Sequence, residues 1–123
     1  MNFNEVQHHS NLALQRWRGL WEKNARLNKP KISTTHKDYL GIYSGKTAVL
    51  FSFGPAFDRN VEEFKQSKYF NNPDVVVGCV DKAYRPLVER GIIPNAVLIA
   101  DGEVNVSWVE GVDPKAIEKT VLI

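Results

Sequence analysis

Apolar positions fall in two textures along this chain. Over residues 5–28, Leu14, Trp17 and Trp21 recur at three- and four-residue spacing, with Ala13, Leu20 and Asn24 beside them. That period predicts a single helix. Arg16, Arg18, Lys23 and Arg26 fall largely off the stripe. A stripe carrying two tryptophans docks on something, and the domain's own core or a twin subunit is a commoner partner than a ligand. Residues 29–46 read as a connector holding Pro30, Gly41 and Gly45. From Thr47 onward short apolar runs alternate with helical periods. Residues 47–53 predict a strand buried on both faces, and residues 58–70 a helix that turns Val61 and Phe64 inward. A second buried strand is expected over 74–80. A short helix follows over 83–90, with Pro86 in its first turns, where the missing N–H costs little. Gly91 and Pro94 stop that helix. Residues 96–100 read as a third strand and 120–123 as the start of a fourth.

Strand–helix–strand alternation with uninterrupted apolar strands implies an α/β fold with a parallel sheet and right-handed crossovers. The expected strand order is 3-2-1, with the fourth strand beyond the first. Residues 1–46 then form a helix and connector, and residues 47–123 the α/β domain. The chain stops inside the apolar run Val121-Leu122-Ile123, so a fragment or a minimal version of a longer domain is expected.

Length and composition add limits. A chain of 123 residues suits one domain and can bury a core without staples. No stretch approaches the roughly 18 apolar residues a membrane span needs. The first ten residues lack an apolar signal core, and the single cysteine, Cys79, excludes an intrachain disulfide and reads as a small core residue. A cytoplasmic protein is expected. The net charge of +2 hides an asymmetry. Residues 1–46 carry eight Lys or Arg against three Asp or Glu, while residues 47–123 carry eight against eleven. A basic arm attracts nucleic acid, anionic lipid or phosphate; the plainer reading is a solvated helix face.

Ligands of open α/β sheets sit beyond the carboxyl ends of the strands, at a switch in strand order. Three segments meet there. After the first strand come Ser52, Phe53, Gly54, Pro55, Ala56, Phe57 and Asp58. Gly54 lets backbone approach a ligand, and the following helix offers free N–H groups to phosphate. Asp58 is expected to cap that helix. After the second strand comes Asp81, either a ligand to ribose or base or another cap. After the third come Asp101 and Glu103. Asp101 is the stronger candidate to hold Mg²⁺ beside a phosphorylated ligand. Other signals fail. Ser44-Gly45-Lys46-Thr47 resembles the end of a phosphate loop, but it precedes its strand and lies one residue too close to Gly41. His8, His9 and His36 lack zinc-ligand spacing.

At these three segments the chain resembles the domain of unknown function 115 family. That family includes archaeal 6-hydroxymethyl-dihydropterin pyrophosphokinases and motility-associated-factor flagellin glycosyltransferases. Its G-x-G-P-S-L-x-x-N turn stands here as residues 52–60, beginning Ser52-Phe53-Gly54-Pro55-Ala56. Its D-x-A-x-x-x-L segment leading to G-I-x-P stands as Asp81-Lys82-Ala83 through Leu87 to Gly91-Ile92-Ile93-Pro94. Its strand ending in Asp, with an aromatic downstream, stands as Val97 to Asp101 with Trp108. The resemblance covers residues 43–111 and implies a Rossmann-like fold. The activity it implies is transfer from a phosphate-bearing donor, either pyrophosphate from ATP or a sugar from a nucleotide sugar. Two positions depart from the pattern: Ser52 replaces the first glycine and Ala56 the serine. Gly54, Asp81 and Asp101 carry over.

The expected function is a nucleotide- or nucleotide-sugar-binding domain of a transferase. Backbone N–H groups of Gly54, Ala56 and Phe57 would meet phosphate, Asp81 the nucleoside, and Lys82 or Arg85 the phosphate charge. Asp101 would hold Mg²⁺ or orient the acceptor. The rival is a non-catalytic module that pairs with a twin or partner through the Trp17/Trp21 helix or the last strand. Nucleic-acid binding through the basic arm is a weaker third option, because the body is acidic and carries no known motif.

Overall fold

The computed structural model describes residues 2–99 and 106–123. They divide into two compact units, residues 2–40 and residues 41–99 with 106–123. The first unit is α1, Phe3–Asn28, followed by short 3₁₀ turns at Lys29–Lys31 and His36–Tyr39. An Asn2/Glu5 capping box starts α1, each residue's side chain accepting from the other's backbone N–H at 3.0 and 2.9 Å. No residue of α1 is buried, although Trp17, Leu20, Trp21 and Asn24 are half-buried.

The second unit is a four-stranded parallel sheet with helices, an α/β fold as expected. Its strands are β1 (Thr47–Phe51), β2 (Val75–Val80), β3 (Ala96–Leu98) and β4 (Val121–Leu122), and its helices α2 (Phe57–Gln66), α3 (Asp81–Glu89) and α4 (Pro114–Glu118). The core lies between one sheet face and these helices. Phe51, Val77, Cys79 and Val97 point down from the strands onto Phe57, Val61 and Phe64 of α2, Ala83, Tyr84 and Leu87 of α3, and Ala116 of α4. Phe51 sits edge-on to Phe64 with ring centres 5.4 Å apart, and Phe64 to Phe70 at 5.8 Å.

The strand order corrects the expected one. The sheet runs β1-β2-β3-β4, so the fourth strand lies beside the third and not beyond the first. The connection explains it. α4 has only five residues, and Thr120 is tied down by its hydroxyl, which donates to the Pro94 carbonyl at 2.8 Å. Val121 N–H then finds the Asn95 carbonyl, and Ile123 N–H the Val97 carbonyl, both at 2.9 Å. Reaching the far side of β1 would mean crossing two more strands at ~4.8 Å each.

A sequential order has a second consequence. Right-handed crossovers that all step the same way place all their helices on one side. The strands are therefore not buried on both faces, contrary to expectation. Leu50 is 80% exposed and Leu98 53%. Within the described strands there is also no reversal of order, so the site cannot be located by a switch point.

Three smaller differences follow from local chemistry. α2 ends at Gln66, short of residue 70, where Ser67 turns extended and its hydroxyl donates to the Phe64 carbonyl at 2.7 Å. α3 starts at Asp81, so Pro86 falls in its second turn. The described part of the third strand is Ala96–Leu98; Ala100 lies outside the described residues.

Candidate functional site

β1 drops its last side chain, Phe51, into the core, and Ser52 and Phe53 emerge exposed at the carboxyl edge. Gly54-Pro55-Ala56-Phe57 then makes a β-turn. Phe57 N–H donates to the Gly54 carbonyl at 2.9 Å, and Ala56 sits at φ −90°, ψ 1°. Those angles suit the third position of a type I turn, and proline's fixed φ suits the second. The turn narrows the expected donor set, because the Phe57 N–H is already taken. Among the described residues, no hydrogen bond takes up the N–H groups of Gly54 or Ala56, nor those of Asp58 and Arg59 in the first turn of α2. Gly54 is not in the left-handed region, and a Cβ built on it would meet nothing within 4 Å. Neither backbone angle nor internal packing calls for glycine there; the space before the turn is open.

Asp58 is not the cap it was expected to be. The N-cap of α2 is Ala56, without a side-chain cap bond. The Asp58 carboxylate instead accepts from Arg90 at 2.7 Å, across from the end of α3. Arg90 also donates to the Pro86 carbonyl at 2.9 Å and lies 5.7 Å from the centre of the Phe57 ring. This pairing offsets a carboxylate that would otherwise repel an anion at the α2 N-terminus. No sequence signal announced it, because the partners are 32 residues apart.

Asp81 is half-buried at the first position of α3. It does not cap that helix either: Val80 is the N-cap and no side chain bonds there. Burial pushes the neighbouring Cys79 thiol up to about 12, and the Asp81 charge adds to that rise. Cys79 is therefore a neutral core thiol, as the sequence indicated.

Lys82 and Arg85, on the exposed side of α3, flank a recess of about 290 Å³ lined also by Phe53, Pro86, Ser107 and Trp108. A second recess of about 280 Å³ shares Phe53 and Pro86 and adds Gly54, Phe57, Asp58, Glu89 and Arg90. Trp108 is held edge-on against buried Tyr84 with centres 5.6 Å apart, and the Tyr84 hydroxyl meets that of Thr120 at 3.0 Å. Arg85 reaches the carbonyls of Ser107 and Glu110 at 3.4 Å each. Unbonded N–H groups, two cations and two aromatic walls thus converge at the carboxyl edge of β1 and β2. Such a surface can take a planar ring with attached phosphates. Pro86 was not foreseen as a lining residue; Phe53 fell in the expected first segment, two residues past β1, but no role was given to its ring.

Ser52 lies apart from these recesses, on the other face of the sheet. Asp101 and Glu103 lie outside the described residues. Among the described residues no three His, Cys, Asp or Glu side chains cluster as a metal site. No described helix is long and apolar enough to cross a membrane.

The comparisons agree with the ordered motifs. The model of the family described as 6-hydroxymethylpterin diphosphokinase MptE-like matches residues 23–123, and the chain belongs to that family, the domain of unknown function 115. No curated protein and no solved structure matches the chain.

Proposed function

We propose that this member of the MptE-like family binds a nucleotide at the carboxyl edge of β1 and β2, as the donor site of a transferase. The observation that carries the reading is the recess between Phe53, Lys82, Arg85 and Trp108, beside a turn whose Gly54 and Ala56 N–H groups are unbonded. Phosphate would sit on those N–H groups with Lys82 and Arg85 offsetting its charge, the ring between Phe53 and Trp108, and Asp81 on the nucleoside.

The family description points to pyrophosphoryl transfer onto a hydroxymethylpterin. In that reaction the acceptor hydroxyl oxygen attacks the β-phosphorus of ATP. The bond from that phosphorus to the oxygen bridging the α-phosphate breaks, AMP leaves, and the hydroxyl proton passes to a base. Asp101 would hold Mg²⁺ or orient the acceptor. Mg²⁺ held there would offset the charge that develops on the phosphates. Glycosyl transfer from a nucleotide sugar would use the same phosphate contacts, and product analysis separates the two.

Thermal unfolding against ATP, GTP, CMP, UDP and their sugar conjugates, with Mg²⁺, tests the site. A ligand at a hundredfold excess over its Kd stabilises the folded chain by about 2.7 kcal/mol, which raises Tm by several degrees. The rise should vanish in Lys82→Ala and in Gly54→Val, and fall in Asp101→Asn. Because a Cβ at Gly54 meets no neighbour, the ligand-free Tm of Gly54→Val should stay close to that of the parent. A panel without any shift would overturn nucleotide binding by this chain.

A further inference from the structure

The sheet face away from the helices is an unfinished surface. Strand alternation and register put Ala48 and Leu50 of the first strand on that face, beside Val76 and Gly78 of the second, and Ser52, just past the first strand, and Val80 line it as well. Ala96 and Leu98 continue it, and Ile123 closes the edge. Leu50 bends over Gly78, where a Cβ would lie 2.8 Å from its tip, and the face holds a concavity of about 520 Å³. Leu50, Leu98 and Ile123 are 80%, 53% and 63% exposed. Parallel sheets occur almost only with both faces covered.

Residues 2–40 present the opposite problem. α1 carries an apolar stripe of Leu14, Trp17, Leu20, Trp21 and Leu27, yet buries none of its residues. From Leu14 to Leu27 the stripe is about 20 Å long. Four strands at ~4.8 Å spacing make a face of similar width. The charges are also opposite: residues 1–46 carry a surplus of five positive groups and residues 47–123 a surplus of three negative ones. Two tryptophans and two leucines per copy, with the sheet they cover, amount to on the order of 1,600 Å² over a reciprocal pair, the size of a standard stable interface.

We propose that the open sheet face is a docking site for the α1 stripe of a second copy, in a reciprocal two-fold dimer. Each copy then gives one helix and receives one, the closed arrangement that two-fold pairs favour. The inference is independent of the nucleotide reading.

Sedimentation and light scattering of the full chain should give a dimer mass that weakens with salt, as opposite charges require. Leu50→Lys and Trp17→Lys should each raise the dimer Kd by at least about tenfold, since each would bury a charge. Leu50 is exposed in the single chain, so Leu50→Lys keeps its fold, which circular dichroism would verify. Chains carrying only Leu14→Cys, mixed with chains carrying only Leu98→Cys and treated with a short thiol cross-linker, should yield the covalent heterodimer. Buried Cys79 stays silent in both. A monomer mass at every concentration would overturn the proposal, and so would a dimer indifferent to Leu50→Lys, which would mean that α1 pairs with its own twin helix.

Discussion

The two faces of the sheet are built from alternate residues of the same strands, and both are apolar. One receives α2, α3 and α4 and buries Phe51, Val77, Cys79 and Val97; the other leaves Leu50 and Leu98 in the open. Hydrophobicity along the chain does not separate them. The difference comes from the direction in which the chain crosses over. Strands laid down in sequence, each crossover right-handed, stack every helix on one side. An apolar strand run therefore reports what a sheet needs, not what its own chain supplies.

The sharpest way to break this comparison is to truncate one leucine on each side. Leu87 is fully buried under the sheet, so Leu87→Ala should cost about 2–5 kcal/mol. Leu50→Ala, measured on the monomer at low concentration, should cost less than about 1 kcal/mol. Urea unfolding of both variants decides it; equal losses would mean that the open face is covered within a single chain.

Cys79 gives a chemical readout of the covered face. Its thiol is held at about 12 against an ordinary 9.0. A raised thiol pKa means the folded state keeps its proton where the unfolded state loses it. The stabilisation is therefore complete below about pH 9 and is lost as pH rises from there towards 12. Folded chain at pH 8 should react with a thiol reagent only at the rate of unfolding, whereas a cysteine placed at Leu98 should react at once.

The smallest effect belongs to Gly78→Ala. The new Cβ would come within 2.8 Å of Leu50 Cδ2. That atom is the free end of an exposed side chain, so Leu50 swings away and the monomer loses less than about 0.5 kcal/mol. The same change reshapes the open face, and a larger loss confined to the dimer would sharpen the case for docking there.

Much of this was legible in order along the chain. The period of three and four over Leu14, Trp17 and Trp21 marked α1, and the Val61/Phe64 pair marked α2 and its buried side. The turn at Gly54-Pro55, the Asp81-Lys82-Ala83 segment and the Gly91-to-Pro94 stop identified the family by their spacing. The capping role of Asp58 misled, because an acid beside a helix start reads alike whether it bonds its own helix or a distant arginine. The recess was only partly legible: Lys82 and Arg85 were named, while Phe53 and Pro86 become its walls only when α3 packs beside the turn.

By itself the sequence determined the kinds of element, their succession, the parallel sense of the sheet and the family. Those depend on local periodicity and on short-range spacing, which one chain states in full. Only the tertiary structure decided where β4 lies, which sheet face is covered, and that Arg90 answers Asp58. These turn on which of several apolar strands pairs with which, and on contacts between residues far apart in sequence. A parallel strand accepts any apolar neighbour about equally well, so its order is set by the crossover that delivers it. In this chain that crossover is five residues of α4 and the hydroxyl of Thr120 bonded to Pro94.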